Sequence, residues 1–343
     1  MSIYKGVFTD TALQNIRVML EKIAMDDRVK LQFQPQADLL APFIANANKQ
    51  VDVVLGSLGK MKKPVAEVEW INACEIDDQA CTNCTEGGNE LSTNTKTYEI
   101  DICREVPFTV TEYPFLKNDF DFPMLVAQGF MKADMLLAEY FGDQSIAFLN
   151  TNKGVNALAP GTNRGCISGT DTYISAAYWN AELMGYFSRA RSSNRFGNPY
   201  LLSGANLHES SIIANFNAGN SEGKGAQAMF GSMPIYFDEH TVDSVNTPTL
   251  ITYMIQPGTY AVANKAYYNP TPIQYQEDKR WSMASKFIPG FEYDVHYSNT
   301  CASANGFPVH NFVVKLNAGI YINPEACDDN NTGILAFRCG DCP

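Results

Sequence analysis

The hydrophobic and polar positions of this chain change period several times along its length. Between residues 11 and 25, Leu13, Ile16, Leu20 and Ile23 recur at i, i+3, i+7 and i+10, which is one apolar stripe of a helix. Thr9 or Asp10 can cap its start. Residues 26–50 hold Asp26-Asp27, Pro35 and Pro42, and predict an extended, turn-prone segment with little core of its own. From 65 to 71 the pattern alternates, with Ala66, Val68 and Trp70 on one face and Glu67 and Glu69 on the other. Tyr98, Ile100 and Ile102 alternate likewise with Glu99 and Asp101. Period two marks half-buried strands, so the two runs predict a two-stranded ribbon. Its 26-residue tip is rich in Asn, Thr, Gly and acid, and loops beyond about 12–15 residues are usually functional or disordered.

The period then lengthens. Asn118, Asp119 and Asp121 offer caps, Pro123 suits a first turn, and no further proline intervenes before Leu149. Phe130, Leu137, Phe141 and Phe148, at spacings of 7, 4 and 7, share one helical line. The segment Phe122–Leu149 thus predicts a rod of roughly 40 Å. Thr172–Arg191, with Tyr173, Ala176, Ala177, Leu183, Met184 and Phe187, predicts a second helix. Short apolar segments and turns follow, and Phe291–Tyr297 and Phe312–Leu316 read as strands. Helices and strands in this order make the fold class α+β.

Composition narrows the class. The 343 residues are 45% hydrophobic and 18% charged, enough apolar side chain for one large domain or two ordinary ones. Twenty-five basic residues face 37 acidic ones, a net charge of −12. That balance excludes a basic nucleic-acid clamp as the main feature. Eight acids against two bases concentrate a local charge of −6 in residues 75–105. The most apolar long window, 124–141, contains Lys132, Asp134 and Glu139, so no membrane span is expected. The stretch Met1–Asp10 has neither a long apolar run nor a small-residue cleavage site, and a chain made in a cytosol is expected.

Candidate chemistry is sparse. The nine cysteines include two CxxC pairs, Cys81/Cys84 and Cys339/Cys342. Thiolates at that spacing can take two corners of a zinc tetrahedron. The two pairs together, or Cys74, Cys81, Cys84 and Cys103, can supply four ligands; the other readings are disulfides and, as the leading expectation, unpaired thiols. His208, His240, His296 and His310 show no metal-ligand spacing. Gly219-Asn220-Ser221-Glu222-Gly223 matches a nucleophile elbow, and Ser221 would then be the nucleophile of a hydrolase. The flanking Asn215–Gly219 and Lys224-Gly225 read instead as a flexible loop, one residue short of a phosphate loop. Asp328–Gly333 resembles half a calcium loop, but Cys339 stands where a bidentate Glu is needed, and a strand-joining turn is expected. Arg189, Arg191 and Arg195 cluster at the end of the second helix, where they complement the helix dipole or pair with acid on another copy. No catalytic residue, resident metal or cofactor is assigned.

The order of parts resembles the major capsid protein of tailed bacteriophages, with the Hong Kong 97 type fold. The residues that carry the resemblance are the ribbon at 65–103, the rod Phe122–Leu149 ending in Ile146-Ala147-Phe148-Leu149-Asn150, and three later segments. These are Asn198–Leu202, Met229–Tyr236 and Thr259–Val262. The resemblance implies an N-terminal arm at 1–50 and an E-loop with flanking strands at 51–110. It further implies a spine helix of a peripheral domain at 111–150, an axial domain at 151–285, and strands returning to the peripheral domain at 286–343. It implies a structural protein, not an enzyme, that self-assembles through hexamers and pentamers into the icosahedral shell around a double-stranded DNA genome. Assembly would take place in the host cytoplasm and the protein would reside in the virion. Scaffolding, portal and decoration proteins would be its partners, with weak non-specific contact to packaged DNA. Some members crosslink subunits through Lys and Asn, and Lys60, Lys62, Lys63 and Lys96 lie near the ribbon. The alternatives are an encapsulin-like compartment or another virion component, and a hydrolase using Ser221.

Overall fold

The computed structural model describes residues 10–25, 34–54, 65–71, 93–111, 121–161, 164–175, 178, 183–204, 207, 229–230, 233–238, 251–275, 278–300, 308–324 and 332–343. Four helices are described: α1 (Asp10–Met25), α2 (Leu40–Ala45), α3 (Asp121–Thr151) and α4 (Leu183–Ser193). The early strands are β1 (Val51–Val54), β2 (Val65–Ile71), β3 (Thr93–Glu99), β4 (Ile102–Thr111), β5 (Gly165–Ser168), β6 (Asp171–Ile174), β7 (Tyr200–Ser203) and β8 (Met229–Phe230). The later ones are β9 (Met233–Phe237), β10 (Ile251–Ile255), β11 (Tyr260–Asn264), β12 (Ile273–Tyr275), β13 (Asp278–Ala284), β14 (Glu292–Thr300), β15 (Val309–Ile322) and β16 (Ile334–Cys339). The architecture is mixed α+β, as expected, and forms two compact units. No described helix is long and apolar enough to cross a membrane.

The first unit comprises Met1–Pro35, Ile100–Phe141 and Asn264–Gly319. Its sheet runs β12-β13-β14-β15, with β4 on β15, and all its pairs are antiparallel. Alternation along β15 sends Phe312, Val314 and Leu316 to a buried face. There Phe312 stacks on Phe108 at 5.0 Å and meets Phe130 of α3 edge-on at 5.3 Å. Edge-to-face and offset rings satisfy the aromatic quadrupole while burying large areas. Asp134 is a carboxyl buried inside this core, being 1% exposed. Ser285 Oγ, Lys286 N and Tyr293 OH donate to its carboxylate at 2.7, 2.6 and 2.8 Å. Burial pushes the Asp134 carboxyl above its ordinary value, against those donors. In α1, Ile16 and Leu20 are buried, as the stripe predicts, and Arg17 donates to the Pro270 carbonyl at 2.5 Å.

The second unit comprises Gln36–Glu99, Gly142–Ala263 and Ile320–Pro343. Its main sheet has the order β5-β6-β16-β10-β7-β9-β8. All described residues of β7 and β10 are buried, which is why these strands read as continuous apolar runs without alternation. Leu183, Phe187 and Ala190 of α4 pack on this sheet, with the Phe187 ring 4.8 Å from Phe337.

The structure corrects several expectations. The 26–50 segment is not core-poor throughout, because α2 and its approach bury Leu39, Leu40 and Phe43. Asp238 accepts from Leu39 N at 2.9 Å, and the Phe43 carbonyl accepts from Tyr260 OH at 2.5 Å. The ribbon's return strand is Thr93–Glu99, while Ile102–Thr111 pairs with β15 in the other unit. The expected helix at 172–191 gives way to strand β6 at its start, and the described helix is Leu183–Ser193. Parallel pairing with β16 claims Thr172–Ile174 and overrides their helical spacing. The 31-residue α3 extends slightly beyond Phe122–Leu149. Residues 1–50 divide between the units after Pro35, residues 111–150 after Phe141, and the return strands 286–343 after Gly319.

Candidate functional site

Three features of the second unit were singled out by the sequence: the ribbon, the terminal cysteines and the arginine cluster. The ribbon is a three-stranded sheet, β1-β2-β3, antiparallel throughout. Its inner face carries Ala66, Val68 and Trp70, all buried. These pack with Ala261, Ala263 and Tyr321 in a small core of their own. Trp70 Nε1 donates to Tyr98 OH at 3.1 Å. The Tyr98 ring stacks on Tyr321 at 4.5 Å, and Tyr321 OH donates to the Glu99 carbonyl at 3.0 Å. At the other edge, Asn48 Nδ2 donates to the Glu69 carbonyl at 3.0 Å and Asn48 N to the Tyr260 carbonyl at 2.7 Å. Inner residues thus rivet the ribbon's root.

The outer face is acidic. Register sets Asp52 directly opposite Glu67, with Glu69 on the same face. They line an open groove with Lys49, Gln50 and Thr95. Of the seven residues of β3, five are exposed and only Lys96 and Tyr98 are half-buried. The tip of the ribbon, including Cys74, Cys81 and Cys84, lies outside the described residues, as do Lys60, Lys62 and Lys63.

The terminal CxxC does not act as a pair. Cys342 is bonded to Cys166 of β5. Cys166 pairs across the sheet with Tyr173, and Tyr173 with Arg338. Cross-strand partners share a face, so Cys339, one residue after Arg338, belongs to the opposite face. Cys339 accordingly packs against the apolar cluster of α4 and β16. Two thiols on opposite faces cannot chelate one ion as a CxxC. Among the described residues no group of His, Cys, Asp or Glu is arranged to hold a metal. The strand pair beside the staple is fixed by Asp171, which takes Lys153 Nζ at 2.5 Å and Arg338 Nε at 2.9 Å. In the first unit, Cys103 is an exposed free thiol.

The three arginines have separate roles. Arg191 caps the chain beyond α4, donating to the carbonyls of Phe196 and Gly197 and to Asn198 Oδ1. Arg195 has a φ of 56°, the left-handed conformation that usually goes to glycine after a helix end. Arg189 stands on the exposed side of α4 and faces a cleft. Arg164, which no local sequence signal picks out, lies on the same cleft with its guanidinium 5.7 Å over the Tyr178 ring.

The remaining candidates are structural or undescribed. His310 is buried, shares a hydrogen bond with Tyr297 OH at 2.8 Å and packs on Phe122. His296 is half-buried, and burial and the nearby Arg280 lower its basicity. Ser221, His208, His240 and Asp328–Asn331 lie outside the described residues.

No protein-family model matches the sequence, and no curated protein does. Among solved structures, the chain is similar to a protein of Mycobacterium phage Che8, at 10% identity and a TM-score of 0.42. That likeness covers 80% of this chain and 84% of the other. It is similar to the holo-SrpI encapsulin complex from Synechococcus elongatus, at 10% identity and a TM-score of 0.45, over 89% and 95% of the two chains. It is also similar to the capsid of Ralstonia phage GP4, at 12% identity and a TM-score of 0.43, over 81% and 84%.

Proposed function

We propose that this chain is a shell-forming structural protein of the Hong Kong 97 type, the major capsid protein of a tailed phage. The observation that carries the reading is β3. It is a regular strand with most of its residues in water, beside an outer face of like charge. The ribbon's inner face is buried within the subunit, but the exposed face of β3 offers paired strand surface that only another chain can cover. It gains its burial when many copies interlock, which is the logic of an obligate assembly. The 31-residue α3 supplies a rigid rod beside it in sequence. An acidic chain of net charge −12 also suits a wall that must not grip packaged DNA. In this reading, hexamers and pentamers build the shell in the host cytoplasm with scaffolding and portal partners.

The test is electron microscopy and sedimentation of the purified full chain. Rings or closed shells support the reading. A compact monomer at all concentrations, with co-expressed phage partners present, overturns it. An encapsulin-like compartment would give closed shells that hold protein cargo and no DNA.

A further inference from the structure

Strand β5 lies at the edge of the seven-stranded sheet and, among the described strands, pairs with β6 alone, over four residues. An edge strand with so short a ladder opens at little cost. β6 does not share that weakness: it pairs with β16 on its other side, where Asp171 is tied to Arg338. One end of β5 is fixed by the tight turn into β6, in which Gly169 takes a φ of 60°. The other end is fixed by chain that arrives from two strands away. Beyond β16, Gly340 N donates to the Ile174 carbonyl at 2.9 Å, which leads residues 340–342 across the end of β6. Cys342 then bonds Cys166, the second residue of β5, with their Cα atoms 5.9 Å apart. The bond is open to attack, since Cys342 is exposed and Cys166 is half-buried. Cys339 is kept out of the exchange by its packing in the apolar cluster on the opposite face.

We propose that the Cys166–Cys342 bond is a redox latch on β5, reduced and open while the chain is made, oxidised and closed once the particle has left the cell. The inference goes beyond the shell reading and rests on it only for the two surroundings. Thiol buffers of a cytosol reduce accessible disulfides, and extracellular surroundings let them persist. Closure uses a small-molecule disulfide such as oxidised glutathione. The exposed Cys342 thiolate attacks one sulfur of that molecule, which forms a mixed disulfide and releases one small thiolate. The Cys166 thiolate then attacks Cys342 Sγ, which forms the protein bond and releases the second. Two electrons pass from the cysteine pair to the small disulfide, and the two thiol protons end on the two released thiols. Reduction runs the same steps backward, starting with attack of a small thiolate on Cys342 Sγ. With the latch open, β5 is held by its turn and its short ladder; with the latch closed, both of its ends are pinned. The pairing of β6 with β16 survives in either state.

The test uses the full chain, equilibrated in buffers of graded reduced-to-oxidised glutathione. Alkylation followed by mass mapping reads the fraction of Cys166 and Cys342 in the bond, amide exchange reads each strand, and circular dichroism checks the fold. The bond should be mostly open at a cytosolic poise and mostly closed where oxidised glutathione dominates. Opening should speed exchange at amides 166–168 about tenfold and leave amides 252–254 of β10 unchanged. Cys342→Ser should show the open-state rate at every ratio, and Cys339→Ser should titrate like the unaltered chain. A bond that stays closed at the cytosolic poise is a permanent staple and overturns the proposal. Equal exchange of β5 in both states overturns it too, as does loss of the fold on reduction. None of these results bears on the shell reading, which assembly alone decides.

Discussion

Gly129 of α3 lies against the ring of Phe108 on β4, so close that a Cβ on the glycine would fall 2.5 Å from Phe108 Cε2. That ring also stacks on Phe312 and meets Phe130 edge-on at 5.2 Å, so it has little freedom to retreat. Gly129→Ala should gain up to about 1 kcal/mol of helix propensity. It should lose about 1–3 kcal/mol to overpacking. The expected net result is a destabilised protein, seen as a lower denaturation midpoint with unchanged slope. Pairing Gly129→Ala with Phe108→Leu should recover part of the loss.

Asp294 supplies a pH dependence of known sign. It is buried, accepts from Tyr267 N at 2.7 Å, Tyr268 N at 3.2 Å and Asn317 Nδ2 at 2.9 Å, and its pKa is pushed up from 3.8 to about 6, chiefly by burial. The folded state therefore holds this proton more tightly than the unfolded chain. The stabilisation is complete below about pH 4 and is lost as pH rises through 6. The difference is on the order of 3 kcal/mol at about 1.4 kcal/mol per pKa unit. Asp294→Asn should flatten the stability profile between pH 4 and 6, measured by urea unfolding across that range. An unchanged profile would show that another group controls it.

The Cys166–Cys342 bond closes a loop with a sequence separation of 176. In the chain-entropy picture such a crosslink stabilises by at most about 5 kcal/mol. Cys342→Ser, or reduction of the unaltered protein, should lower the unfolding temperature of the second unit. Cys339→Ser should leave the bond in place. Mass mapping of the oxidised protein should find Cys166 joined to Cys342, and a Cys339–Cys342 bridge would contradict the structure.

Tyr98→Phe would leave the indole N–H of buried Trp70 without its 3.1 Å acceptor. An unsatisfied buried donor costs about 1–3 kcal/mol. The expected outcome is faster amide exchange in β2 and β3, with the first unit unaffected.

Local pattern was readable where one physical demand governed a segment. Ala66, Val68 and Trp70 face a core while Glu67 and Glu69 line the open outer groove, so period two reported β2 correctly, whereas the alternation through Ile100 and Ile102 placed the return strand too late in the chain. Phe130, Leu137 and Phe141 are buried on α3 for the same reason. Where the demand came from distant chain, the pattern misled. Thr172–Ile174 pair in parallel with Phe337–Cys339, a partnership more than 160 residues away that helical spacing cannot reveal. Phe43 lies in the segment that Pro35 and Pro42 marked as turn-prone with little core, yet it stacks on Tyr260 at 4.3 Å. The cysteines show the same limit. Spacing suggested Cys339 with Cys342, whereas sheet register separates them and brings Cys166 to Cys342. Arg164 joins Arg189 only through the fold, so no local motif announces the cleft.

Asp52 facing Glu67 gives the outer edge of the ribbon a built-in spring. Like charges directly across a strand pair oppose the pairing, and β1 has only four residues to hold against them. Counter-ions relax that push over a screening length of about 10 Å at 0.1 M salt and about 30 Å at 0.01 M. Dilution of the medium should therefore loosen β1 from β2 first, before any core strand opens, and amide exchange at Val53 should report the ionic strength directly.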